Sequence, residues 1–134
     1  MNRKTQIGDP PIRILRDDLE RLETLLDSMH RSYARISLFL QEELLRADIV
    51  DKQPRSPFVG LGSHVAFVDE QGAPHAGTLF MPEDGCTSLP DGISILTPVG
   101  CALLGLSQGQ SIGYETVDGR KKRITVTGVR PPDP

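Results

Sequence analysis

Ile93-Ser94-Ile95-Leu96-Thr97-Pro98-Val99-Gly100-Cys101-Ala102-Leu103-Leu104-Gly105-Leu106 reads as an apolar strand, an abrupt proline, a turn or two of helix and a glycine stop. Pro98 suits the first helical position, where its missing N–H costs nothing. Gly105 suits the left-handed position just past a helix end. Ser107-Gln108-Gly109-Gln110 then turns the chain toward another strand. A short helix wedged between two strands is a local topology and points to a small α+β unit.

Strand signals lie on both sides of this stretch. Gly62 to Val68 alternates, with Val65 and Phe67 on one face; Asp69-Glu70-Gln71-Gly72 turns it, and His75 to Met81 returns as its partner. Pro82 to Pro90 reads as a loop, Ile93 to Leu96 as a strand and Pro98 to Leu104 as the short helix. Ser111 to Thr116 is the next strand, Val117-Asp118-Gly119-Arg120 carries an Asp-Gly hairpin signal, and Lys122 to Val129 closes the sheet.

Toward the N-terminus the period changes to helical. Leu15, Leu19, Leu22, Leu26 and Met29 recur at steps of four and three, with Asp17 or Asp18 as a helix cap. A second seam runs through Ile36, Leu40, Leu44 and Ala47, flanked by Phe39 and Leu45. Two such helices with a short link are expected to form an antiparallel hairpin about 20 Å long, each seam burying the other. The expected organisation is a flexible tail over 1–11, a helical hairpin (a short coiled coil) over 12–50, a proline-marked linker over 51–61, a sheet domain over 62–130 and a tail over 131–134.

Composition narrows the function. The 134 residues carry a net charge of −3, so the chain as a whole is not built to bind a polyanion. Aromatic residues are 4% and tryptophan is absent, which argues against a stacking surface for bases or sugars. Cys86 and Cys101 are too few for a disulfide framework and suit free thiols in a reducing cytoplasm. No apolar run approaches the roughly 20 residues that span a bilayer, and the polar start lacks a signal-peptide core. A cytoplasmic chain without membrane contact is expected.

The order of elements resembles the Gre transcript-cleavage factors and, more closely, the shorter regulator of nucleoside diphosphate kinase (Rnk) family. The resemblance runs from Ile14 to Val129. It is carried by Ser94 to Leu106 followed by Gly109 and Ser111-Ile112, by Gly62-Ser63-His64-Val65-Ala66-Phe67, and by the helix opening Asp18-Leu19-Glu20-Arg21-Leu22. It implies an FKBP-like antiparallel sheet domain with one short helix, and docking on RNA polymerase at the rim of the secondary channel. The family's Ser-Pro pair at that contact falls on Thr97 and Pro98, with Val99 next to them. The plainer reading of Thr97 and Pro98 is a helix cap and a first helical residue.

Gre factors hold a metal ion with acidic residues at the tip of a long arm. Here the corresponding segment, Asp27-Ser28-Met29-His30-Arg31-Ser32-Tyr33-Ala34-Arg35, offers one carboxylate. Oxygen ligands are what such chemistry needs. A regulator that occupies the channel mouth without stimulating cleavage is therefore expected, with no cofactor, metal or catalytic residue. RNA polymerase is the expected partner, nucleic acid at most an indirect contact, and the chain a monomer. Lys121, Lys122, His30 and Arg31 are candidates for charged contacts; the plainer reading of Arg120-Lys121-Lys122-Arg123 is a solvated strand edge.

Other motifs carry less. Gly109-Gln110-Ser111-Ile112-Gly113 matches a hydrolase nucleophile pattern but enters a strand, with every histidine upstream. His64, His75, Cys86 and Cys101 lack zinc-ligand spacing. The alternative function is a prolyl isomerase or another protein-interaction module, since the implied fold is shared with isomerases; few aromatics are present to line such a pocket.

Overall fold

The computed structural model describes residues 10–28, 34–52, 57–81 and 91–132. It is a mixed α+β fold. In chain order it has β1 (Arg13–Leu15), α1 (Arg16–Ser28), α2 (Ala34–Arg46), β2 (Asp48–Val50), β3 (His64–Asp69), β4 (Pro74–Phe80), β5 (Gly92–Ser94), α3 (Pro98–Leu103), β6 (Ser111–Glu115) and β7 (Lys121–Arg130).

Five strands form one sheet in the order β5-β4-β3-β7-β6. Alternation builds it: Val65 and Phe67 of β3, Leu79 of β4, Ile112 of β6, and Ile124 and Val126 of β7 are all buried on one face. The β3–β4, β3–β7 and β6–β7 pairs are antiparallel, with a register shift between Ala66 and Phe67. The expected all-antiparallel sheet is corrected at one edge, where β5 runs parallel to β4 through Thr78–Gly92 and Phe80–Ser94. A two-residue turn would force antiparallel pairing, and the eleven residues between Phe80 and Gly92 remove that constraint.

A second sheet pairs β1 with β2 in parallel, Arg13 to Asp48 and Leu15 to Val50. Neither strand was expected. Leu15, read as the first residue of a helical seam, belongs to β1, and α1 begins at Arg16. Strands of three residues give no periodic signal in sequence.

The helical seams do not bury only each other. Leu22 and Leu25 of α1 and Phe39 and Leu40 of α2 join one continuous core with Val59, Leu61, residues 101–103 of α3 and Leu104 just after it. Leu45, read as flanking the second seam, is 87% exposed, and Leu38 is exposed as well. The second half of the proline-marked stretch is also core. Phe58 to Leu61 are buried, Val59 N–H donates to Leu106 O at 2.8 Å, and Gly105 N–H donates to Val59 O at 2.7 Å.

Gly105 makes this crossing feasible. Its φ is +82°, and a Cβ there would lie 2.7 Å from Ile12 Cβ, so only glycine lets residues 12–13 pass beneath the end of α3. Arg13 N–H donates to Gly105 O at 3.2 Å, its guanidinium donates to Ser107 Oγ at 2.7 Å and lies 5.1 Å from the Phe58 ring centre.

Candidate interaction site

The start of α3 follows its sequence closely. Thr97 is the N-cap with extended backbone, Oγ1 accepts from Gly100 N–H at 3.1 Å, and Pro98 takes the first turn. The Thr97 hydroxyl donates in turn to Ser94 O at 2.7 Å. Gly100 is tightly enclosed: a Cβ there would meet Ser94 O at 2.1 Å. Cys101 is buried with its thiol donating to Ile95 O, and burial pushes that thiol far above the ordinary cysteine value. It is an inert core residue rather than a nucleophile.

Pro98 and Val99 form one wall of an open groove of about 610 Å³. The other wall comes from the β6–β7 hairpin: Tyr114, Thr116, Val117 and Asp118. The packing of α3 against β6 brings these two segments together. The hairpin tip is held rigidly. Thr116 N–H donates to Arg120 O at 2.8 Å, Gly119 N–H donates to Thr116 O at 3.0 Å with φ +85° at Gly119, and the Thr116 hydroxyl donates to Asp118. Val117 therefore stands 80% exposed on a fixed backbone.

The groove's charge states are set by these contacts. The Thr116 hydroxyl holds the Asp118 carboxyl below its usual range, with Arg120 adding to the effect at 3.1 Å. Burial, with Glu70 and Asp69 nearby, pushes the Tyr114 phenol up, so it remains protonated and able to donate. The result is an apolar slot with one phenol and one carboxylate at its rim. Such a slot can hold an apolar side chain of a protein partner and orient it by polar contacts.

Of the residues expected to bind a partner, Pro98 and Val99 face this groove, while Thr97 spends its hydroxyl on Gly100 and Ser94. Lys122 reaches Glu70 at 3.8 Å, and Lys121 is exposed on β7; neither lines the groove. Residues 121–123 pair with β6 alone, since the β3 ladder begins at Ile124, so this stretch of β7 is an open strand edge as the plainer reading has it, with Arg123 N–H donating to Glu70 at 2.8 Å. His30 and Arg31 fall outside the described residues. Tyr114, Thr116, Val117 and Asp118 were missed as site residues, although the Asp-Gly turn that presents them was legible.

The remaining motifs fall into structural roles. Ser111 Oγ lies 2.5 Å from Thr125 Oγ1 on the neighbouring strand. His64 Nδ1 contacts Thr78 Oγ1 at 3.3 Å and Asp91 Oδ2 at 3.6 Å. His75 stacks on Phe67 and contacts Asp69 at 3.1 Å. Cys86 falls outside the described residues, among which no three His, Cys, Asp or Glu side chains are grouped to hold a metal. No helix among the described residues is long and apolar enough to cross a membrane.

Asp18 also departs from its expected role as a helix cap. It lies in the first turn of α1, is 8% exposed, and its Oδ2 accepts from Leu61 N–H at 3.0 Å. Burial raises its carboxyl above the ordinary value, partly offset by the Leu61 hydrogen bond.

Comparison with known proteins matches two family models. Residues 10–50 match the Rnk N-terminus, and residues 54–131 match the C-terminal region of the transcription elongation factors GreA/GreB. A solved structure of a prokaryotic transcription elongation factor GreA/GreB from Nitrosomonas europaea is 38% identical, with 90% of this chain and 98% of that chain covered and a TM-score of 0.66. The GreA factor homolog Gfh1 of Thermus thermophilus is 21% identical over 90% of this chain and 99% of that one, with a TM-score of 0.45. Gfh1 of Thermus aquaticus is also 21% identical, over 90% and 98%, with a TM-score of 0.47. No curated protein gives a significant match.

Proposed function

Because this chain belongs to the GreA/GreB transcription elongation factor family and carries an Rnk N-terminal region, we propose that it is an RNA polymerase-binding transcription regulator. It docks at the secondary channel rim and does not stimulate transcript cleavage. The single observation that carries this reading is the groove between α3 and the β6–β7 hairpin, formed by Pro98 and Val99 on one side and Val117 on the other. Its apolar walls and rigid backbone suit a protein surface. It contains one aromatic ring, Tyr114, which favours docking over proline isomerisation.

The domain reading follows from the same premise. Residues 62–130 act as an FKBP-like platform, and 12–50 act as a short antiparallel finger. Each of α1 and α2 has 13 residues, so the finger is about 20 Å long. Between residues 27 and 35 it has one carboxylate, Asp27. A short arm with so few oxygen ligands supports occupancy of the channel without metal-assisted cleavage.

The test is binding to core RNA polymerase, with competition by a longer-armed Gre factor and a transcript-cleavage assay on stalled complexes. A complex displaced by the Gre factor, with no added cleavage, is the expected result. Failure to bind overturns the docking reading; stimulated cleavage overturns the silent finger.

A further inference from the structure

The helical part shares an apolar core with the sheet part, and hydrogen bonds join the two at two separated points near its root. The first is the β1 crossing, where Arg13 is bonded to Gly105 and Ser107. The second is Asp18, whose carboxylate meets Leu61 N–H across 43 residues of chain. One tie fixes where α1 starts. A second, on the first turn of the helix itself, adds a directional contact to the apolar packing.

The chemistry of the second tie is informative. A buried carboxylate is costly compared with an apolar side chain of similar size. Here it shares α1 with the buried Leu22 and Leu25 and meets the backbone of the buried Leu61. What an apolar residue could not supply is an acceptor aimed at one N–H. Leu61 sits immediately before the turn into β3, with Ser63 Oγ accepting from Gly60 N–H at 2.9 Å and Gly62 N–H donating to Leu79 O at 2.7 Å. The backbone that receives Asp18 is thus bonded to β4 just after Leu61 and held within its own turn just before it.

We propose that Asp18 is a positioning residue whose bond to Leu61 N–H sets the direction in which α1 and α2 project from the sheet. This rests on the docking reading in one respect: a groove that grips the polymerase delivers the helices to a fixed place only if their angle to the groove is preset. Asp18 touches no partner; it acts through α1.

The test uses the full chain with Cys86→Ser and spin labels on cysteines introduced at Asp27 and Thr127, both exposed. Pulsed distance measurements on the free protein should give one narrow distribution. Asp18→Ala should widen it about twofold or more, whereas Asp18→Asn, which keeps an acceptor for Leu61 N–H, should restore the narrow one. Against polymerase, Asp18→Ala should bind about tenfold more weakly and need about tenfold more protein to displace a longer-armed Gre factor, and Asp18→Asn should restore both, as the loss of a preset geometry requires. A residue that only added global stability would leave both values unchanged in the folded variant.

A distance distribution in Asp18→Ala as narrow as in the parent chain overturns the proposal, as does an Asp18→Asn distribution as wide as that of Asp18→Ala. Amide exchange at Leu61 in the unaltered chain gives a test that needs no variant to fold. Protection comparable to β3 supports the bond, and exchange at the free-amide rate overturns it. A widened distribution together with no polymerase binding by any form would sink the docking reading and leave the positioning role standing.

Discussion

The starts of α1 and α3 use a side-chain oxygen in opposite ways. At α3, Thr97 turns inward on its own helix and satisfies Gly100 N–H three residues on. At α1, Asp18 turns away from its helix and satisfies Leu61 N–H, 43 residues on. The first contact is local and makes a wall of the groove possible. The second is tertiary and joins two parts of the chain. Residue type alone does not distinguish a cap from a cross-link; the surroundings do.

The largest expected effect comes from breaking the local start at its tightest point. Gly100→Ala places a methyl group 2.1 Å from a backbone oxygen that cannot easily yield. Urea denaturation should show a loss of about 3 kcal/mol, the upper part of the overpacking range. A loss below about 1 kcal/mol would mean that the turn at Ser94 is loose.

Next is the tertiary start. Asp18→Ala should cost about 2 kcal/mol by leaving a buried N–H without its acceptor, and Asp18→Asn less than about 1 kcal/mol. Equal losses for the two would assign the effect to packing instead. Smaller again is the cap: Thr97→Ala should cost about 1 kcal/mol and Thr97→Ser less than about 0.5, measured the same way. The order of these variants tests whether the tertiary bond outweighs the local one.

The finest distinction is in pH. Asp18 has a folded-state value raised above its unfolded one by burial. The native state therefore holds the proton more tightly, so this group's contribution is fully present below the unfolded carboxylate value and is lost as pH rises through the folded value. The stability of the parent chain minus that of Asp18→Asn should shift in favour of the parent chain on acidification through that window. Asp69 and Asp118, whose values are lowered, contribute in the opposite direction but cancel in the difference. A flat difference would show that Asp18 titrates as it does in the unfolded chain.

Much of the sheet was legible because its signals are local. Val65 and Phe67 alternate, Asp118-Gly119 turns the chain, and Pro98 and Gly105 bracket a helix; each needs only a few neighbours to be read. What was missed depends on distant residues. The β1–β2 pair joins Arg13 to Asp48, too short a ladder to leave a period. Phe58 to Leu61 follow a run of prolines and polar residues, yet the sheet draws them into the core. At the candidate site, Pro98 and Val99 could be named from the helix start and the family resemblance. Val117 could not, because its place opposite them follows from how α3 packs on β6.

Docking through the groove is tested most directly by titrating labelled Val117→Glu and the parent chain against core RNA polymerase. Val117 is 80% exposed, so the substitution should leave the thermal midpoint unchanged. The expected result is an affinity at least about tenfold weaker, as for a charge placed in an apolar contact. An affinity equal to that of the parent chain would contradict docking through this groove.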